Sequence, residues 1–251
     1  MHRGFLSVAA VFMAALIRVG AAAEVQWEPV SFKTSDSVSI AAGFLKGSGQ
    51  KPPAAVLVHM PEGSKEDWHG AVRDYLLEQT GMSYLAIDLR GHGESTIRGD
   101  ESLHFETFSE SDFQDMVKDV AAAVDYLRGR DDIDPDAIAI VGASTGANIA
   151  IKYAAGDERI KAVAMLSGAL EHNGVSSPEA IGEYGRRPIF FAACREDVPA
   201  GLNINRMELR ARGRKVVDIY QGNLHGTRMF GATPAAERLA GFLKRFVAEE
   251  R

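Results

Sequence analysis

The stretch Ile138-Ala139-Ile140-Val141-Gly142-Ala143-Ser144-Thr145-Gly146-Ala147-Asn148 constrains the fold more tightly than any other. Its first half is a β-branched, apolar run, and residues 147–155 then read as helix. Only a sharp strand-to-helix turn joins two such segments across so few residues. Ser144 stands at its apex between Gly142 and Gly146, where a side chain on either glycine would strike neighbouring strand or helix backbone. A turn of this kind lifts the serine hydroxyl clear of the sheet and points the unpaired N–H groups of the new helix at the same spot. The bland alternative is a tight turn in which serine only caps the helix. A base and an acid placed downstream decide between the two.

The flanking sequence repeats the same unit. Residues 54–60, 83–89, 162–167, 188–194 and 215–220 read as strands, the first a continuous apolar run suited to burial on both faces of a parallel sheet. Residues 65–79, 112–128 and 235–247 carry helical apolar spacing. Residues 25–34 and 38–45 predict two strands paired as an antiparallel hairpin at the sheet edge. Alternating strands and helices imply an α/β fold: a mostly parallel, doubly wound sheet of about eight strands with an antiparallel N-terminal edge. Residues 96–111 read as an irregular excursion, and residues 168–187 hold one short helical segment, so any cap is minimal. The acidic run 131–136 lacks the glycine and distal glutamate of a calcium loop and reads as a turn.

The chain opens on Met1-His2-Arg3, followed by an apolar run over residues 4–17 and the small residues Gly20 to Ala23. That pattern is too short to span a bilayer and predicts a secretory signal cut after Ala23, with Arg18 a departure from it. The domain division is therefore a signal peptide at 1–23 and a single domain over 24–251, in the periplasm or outside the cell. The rival reading is an uncleaved N-terminal membrane anchor. Cleavage removes Arg3 and Arg18 and no acid, so the net charge of −6 becomes −8. An acidic exported domain is a poor partner for nucleic acid. The single cysteine, Cys194, permits no internal disulfide and reads as an inert core thiol.

Ligands of open α/β sheets gather at the carboxyl ends of the strands. Ser144, the pair Glu196 and Asp197, and the segment Gly222 to Gly226 with His225 all lie just past such ends. A serine hydroxyl needs a base to take its proton at neutral pH. Histidine accepts that proton and later returns it to the leaving group, while a carboxylate on its other ring nitrogen fixes the tautomer. His225 is the candidate base and Asp197 the candidate acid, with Glu196 the runner-up and a helix N-cap the competing role for Asp197. The other histidines read as structural, loop or surface residues, His59 shaping a loop through hydrogen bonds.

Gly142-Ala143-Ser144-Thr145-Gly146, Asp88-Leu89-Arg90-Gly91-His92-Gly93-Glu94-Ser95, and the late Asp197 and His225 together resemble the α/β-hydrolase superfamily, its small bacterial serine esterases and dienelactone-hydrolase-like members above all. Dienelactone hydrolases carry cysteine at the elbow, where this chain has Ser144. The resemblance implies an oxyanion hole built from two backbone N–H groups. One is that of Thr145; the other comes from the loop after the third strand. The residue that aligns literally there is Pro61, which has no N–H to give, so Met60 is the candidate. No zinc, nucleotide-binding or dinucleotide motif is present, and neither cofactor nor metal is expected. The expectation is a serine hydrolase acting on a small-molecule ester with a small or exposed acyl group. The same machinery also suits a thioester, lactone or peptide bond. A catalytically inactive binding protein on this fold is the alternative of a different class. The sequence leaves the oligomeric state open.

Overall fold

A computed structural model describes residues 25–250. The signal peptide expected at residues 1–23 lies outside the described residues. Eight strands form the body of the sheet: β1 (Glu28–Lys33), β2 (Val38–Leu45), β3 (Ala54–Val58), β4 (Ser83–Ile87), β7 (Ile138–Ala143), β8 (Ile160–Leu166), β11 (Ile189–Cys194) and β12 (Lys215–Tyr220). Two-residue strands β5 (Ile97–Arg98) and β6 (Glu101–Ser102) extend one edge, and β9 (Glu171–His172) with β10 (Val175–Ser176) makes a separate small hairpin. The order is β12-β11-β8-β7-β3-β4-β2-β5-β6, with β1 beside β2. Pairing is parallel from β12 through β4 and antiparallel where β1, β2, β4 and β5 meet. This is the mostly parallel α/β sheet with an antiparallel N-terminal edge that the sequence predicts.

The central runs work because β3, β4, β7, β8 and β11 are buried on both faces, whereas β12 ends the sheet and stays partly exposed, its run broken by Lys215 and Asp218. In β7, Ile138 and Ile140 face one core while Ala139, Val141 and Ala143 face the other. In β8, Val163 and Met165 likewise oppose Ala162, Ala164 and Leu166. The first core is closed by helices Val117–Arg128, Thr145–Gly156, Ser177–Tyr184 and Ala200–Glu208. The second lies under the helical segment 65–80 and the C-terminal helix Ala235–Leu243, where Trp68, Val72, Leu76, Leu239 and Leu243 are wholly buried. Burying one such side chain contributes roughly 1.5–3 kcal/mol before entropy is counted.

The chain runs outward from β3 to β4, then returns to lay β7 on the other side of β3 and winds outward again through β8, β11 and β12. The winding reverses between β3 and β7, with Val58 level with Gly142. A crevice opens above such a switch point. Its two rims are the loop after β3, which carries Met60, and the turn after β7, which carries Ser144.

Several details differ from the sequence reading, among them the β5–β6 pair inside the expected irregular excursion at 96–111. The helix over 112–128 is two helices, Glu110–Asp115 and Val117–Arg128, divided at Met116. A capping box at Ser109 and Asp112 starts the first, which explains the earlier start. The segment 168–187 contains the β9–β10 hairpin as well as its helix. Asp197 does not cap a helix with its side chain; Pro199 is the N-cap of Ala200–Glu208, and no side-chain bond closes it. Among the described residues no helix is long and apolar enough to cross a membrane.

Candidate active site

Ser144 has φ 54° and ψ −120°, a conformation that L-residues rarely adopt and that costs about 1–3 kcal/mol. The surroundings hold it there. Its N–H donates to Leu166 O at 2.8 Å on β8, and its carbonyl accepts from Ala147 N–H at 2.9 Å in the new helix. A Cβ at Gly146 would stand 2.5 Å from the carbonyl oxygens of Val58 and His59, and one at Gly142 would run into the Gly146 carbonyl. Both glycines are therefore steric requirements of the turn, as their spacing predicts. Ser144 keeps partial exposure, while Thr145 beside it is buried.

Asp197 follows β11 and His225 follows β12, neighbouring parallel strands whose ends bring the two side chains together. His225 Nδ1 lies 2.9 Å from each Asp197 carboxylate oxygen. An ionised carboxylate only accepts, so Nδ1 carries the proton and Nε2 is left with its lone pair. The Asp197 carboxylate is 9% exposed and His225 36%, a sheltered acid behind an accessible imidazole. Glu196 is exposed, and among the described residues its hydrogen bonds are made by its backbone alone: its N–H donates to Gly222 O at 2.9 Å and its carbonyl accepts from Val198 N–H at 3.1 Å. Among the described residues no hydrogen bond joins Ser144 Oγ to His225 Nε2, so the nucleophile–base link is the one contact left unclosed. The base loop nevertheless abuts the elbow. A Cβ on Gly226 would lie 3.3 Å from Ala143 Cβ and 3.1 Å from Met60 Sδ.

Met60 and Thr145 are placed on the two rims, and the backbone N–H of neither donates to a described protein acceptor. Pro61 follows with none to give. Behind them His59 is wholly buried. Its Nε2 accepts from Leu89 N–H at 3.0 Å, so its Nδ1 carries the proton donated to Met60 O at 2.7 Å. This neutral tautomer turns the Met60 carbonyl toward the protein and ties the β3 loop to the β4 loop, the loop-shaping role read from sequence.

Burial pushes the His59 pKa down to about 4. The unfolded chain binds a proton near pH 6.5, which the folded chain refuses until about pH 4. The contribution of neutral His59 is thus complete above pH 6.5 and is lost as pH falls toward 4, for a total of about 3 kcal/mol. Urea unfolding at pH 7 and pH 4.5 is expected to show this loss, with a smaller drop in His59→Gln.

Two ionic clusters fix the same rims, and neither was legible in the sequence. Lys65, at the end of the β3 loop, donates its N–H at 2.7 Å and its Nζ at 2.8 Å to wholly buried Asp88, and its Nζ also reaches Glu94 at 2.7 Å. Desolvation works against the Lys65 charge, but its bonds to Asp88 and Glu94 raise its pKa overall. Arg90 is held between Asp119 at 2.8 Å and Asp36 at 2.8 Å. The Asp88-to-Ser95 motif is therefore a knot of buried charge satisfied in place, in which Ser95 Oγ also accepts Ala41 N–H at 2.9 Å. Asn148, one turn past Ser144, is wholly buried and bonds Ala169 and Val175, which pins the β9–β10 hairpin to the nucleophile helix. A polar residue inside the apolar run of that helix was the available signal. Burial also pushes the Cys194 thiol up, in keeping with a core cysteine. Among the described residues no cluster of three or more His, Cys, Asp or Glu side chains could hold a metal ion.

Known proteins share this frame. The chain is 32% identical over 136 residues to the polyketide transferase ATR5 of Stachybotrys chlorohalonatus, covering 54% of this chain and 42% of that protein. It is 29% identical over 151 residues to the thiohydrolase aneE of Aspergillus aculeatus, covering 59% of this chain and 43% of that one. The chain thus spans less than half the length of these curated relatives. The solved structure of the Pyrococcus furiosus esterase Pf2001 superposes with a TM-score of 0.69 at 18% identity, over 89% of this chain and 91% of that one, a likeness of fold. The family model for the alpha/beta hydrolase fold matches residues 53–189, which run from β3 through the serine elbow to the start of β11. With the elbow, the switch-point crevice and this match in place, the chain belongs to the α/β-hydrolase family.

Proposed function

We propose that this protein is an exported serine hydrolase that cleaves a carboxylic ester through an acyl-enzyme. The observation that carries the reading is the Asp197–His225 pair, 2.9 Å apart, with His225 on a loop whose next residue, Gly226, packs beside Ala143 of the serine elbow. Ser144 Oγ attacks the ester carbonyl while His225 Nε2 takes its proton. The N–H groups of Thr145 and Met60 receive the oxyanion, each donor contributing about 3 kcal/mol to the transition state. His225 returns the proton to the departing alkoxide, so the alcohol leaves and the acyl group stays on Ser144. Water deprotonated by His225 then releases the acid and restores the serine. Asp197 orients the imidazole and stabilises the imidazolium without taking its proton.

A fluorophosphonate probe is expected to add once to the purified chain, on Ser144, and not at all to Ser144→Ala. A folded chain that stays unlabelled favours the inactive binding protein. A second reading has support in the relative named as a thiohydrolase: the acyl group arrives as a thioester. Matched nitrophenyl esters and aryl thioesters of rising acyl length separate the two by kcat/KM.

A further inference from the structure

We infer that Ser167 is a positioning residue that registers the base-bearing loop on the nucleophile turn, a role that rests on the Ser144–His225 reading above. Ser167 follows the last residue of β8 and is 2% exposed. It belongs to none of the motifs that the sequence offers, yet it and its predecessor touch all three branches of the site. Leu166 O accepts the Ser144 N–H at 2.8 Å. The Ser167 N–H donates to Ala192 O at 2.7 Å, on the strand that delivers Asp197. Ser167 Oγ accepts the Gly226 N–H at 2.9 Å, one residue past His225.

Two features single out the side chain. Ser167 has φ 50°, a left-handed conformation in which glycine would be free and any other side chain is disfavoured. A serine in that place is strained, and its hydroxyl is spent on a bond to the base loop. The bond also answers a need of that loop. Gly226 is buried and opens the 3-10 turn Gly226–Met229, whose N-cap, His225, makes no side-chain capping bond. Without Ser167 Oγ the Gly226 N–H would have no described acceptor, and an unpaired buried donor pulls its loop toward any other partner. Gly226 lies against Ala143 and Met60, so a shift there moves the imidazole relative to Ser144. Displacement of a reacting group by about 1 Å can cost on the order of a hundredfold in rate.

The test compares the purified chain with Ser167→Gly, Ser167→Ala and Ser167→Thr, reading thermal midpoint, kcat and KM on p-nitrophenyl acetate, and the rate of fluorophosphonate labelling. Ser167→Gly removes the hydroxymethyl group and relieves the backbone. It is expected to keep or raise the thermal midpoint, to lose about 10- to 100-fold in kcat with KM within about twofold, and to label more slowly by the same factor. Ser167→Ala is expected to lose rate comparably, and Ser167→Thr, which restores a hydroxyl but sets a β-branched side chain at positive φ, to lower the thermal midpoint while its folded fraction regains part of the rate. Wild-type kcat and labelling rate in a folded Ser167→Gly overturns the inference. So does a rate loss that only tracks loss of folded protein across the three variants. Failure of the unsubstituted chain to label, or labelling that survives Ser144→Ala, overturns the triad reading instead, and is distinguishable because it does not involve Ser167.

Discussion

Asp197→Asn is expected to lower kcat by about 10³- to 10⁴-fold with little change in KM. Asp197 accepts from His225 Nδ1 with both oxygens at 2.9 Å. An asparagine in its place can offer an N–H to Nδ1, which would select the tautomer with the proton on Nε2. That nitrogen could then no longer accept the serine proton. The imidazolium formed during attack would also lose its counter-charge in a site where the carboxylate is 9% exposed and poorly screened. Substrate binding does not depend on either effect, so the loss belongs in kcat. Glu196→Gln is the control: Glu196 is exposed and, among the described residues, makes no hydrogen bond or ion pair with His225, and its kcat is expected to stay within about twofold. Steady-state kinetics on a nitrophenyl ester measure both. An Asp197→Asn variant retaining more than about a tenth of the rate would move the orienting role to another carboxylate.

Gly142→Ala is expected to cost about 3 kcal/mol of stability, near the top of the range for overpacking. The new Cβ would meet the Gly146 carbonyl, and stand 2.6 Å from Ala147 N, so the obstacle is helix backbone and not a side chain free to rotate. Relief would require the helix Thr145–Gly156 to lift from β7, which would open a core that includes Ala147, Ile149, Ala150 and Ile151. It would also move Ser144 out of the turn that its Leu166 bond maintains. Gly241→Ala offers the contrast. Gly241 lies inside the helix Ala235–Leu243 with nothing within 4 Å of an added Cβ, and the substitution is expected to stabilise by about 0.5–1 kcal/mol. Urea midpoints of the two variants should therefore move in opposite directions. A Gly142→Ala chain as stable as the unsubstituted one would mean that the elbow tolerates a wider turn than the packing allows.

The amino-acid sequence by itself determined the sheet and the elbow, and it named the groups that the proposed chemistry uses. Runs such as 54–60 and 162–167 are mainly apolar without alternation, the pattern of a strand buried on both faces. Gly142, Ser144 and Gly146 declare a turn whose steric demands are local to five residues. Signals of this kind are short in range, and the chain cannot hide them. The tertiary structure alone decided what meets what. Asp197 and His225 are 28 residues apart, and β11 and β12 have to pair in register before Nδ1 finds its carboxylate. The pairing of Lys65 with Asp88, of Asn148 with the β9–β10 hairpin, and of Ser167 with Gly226 left no trace in spacing or composition, apart from one polar residue in an apolar helix. A hydrogen bond or ion pair between remote loops depends on where the sheet sets its strand ends, and no local propensity encodes that distance. Backbone conformation followed the same division: the positive φ at Ser144 was legible from its glycines, whereas the one at Ser167 goes with a bond made 59 residues away and has no local signal.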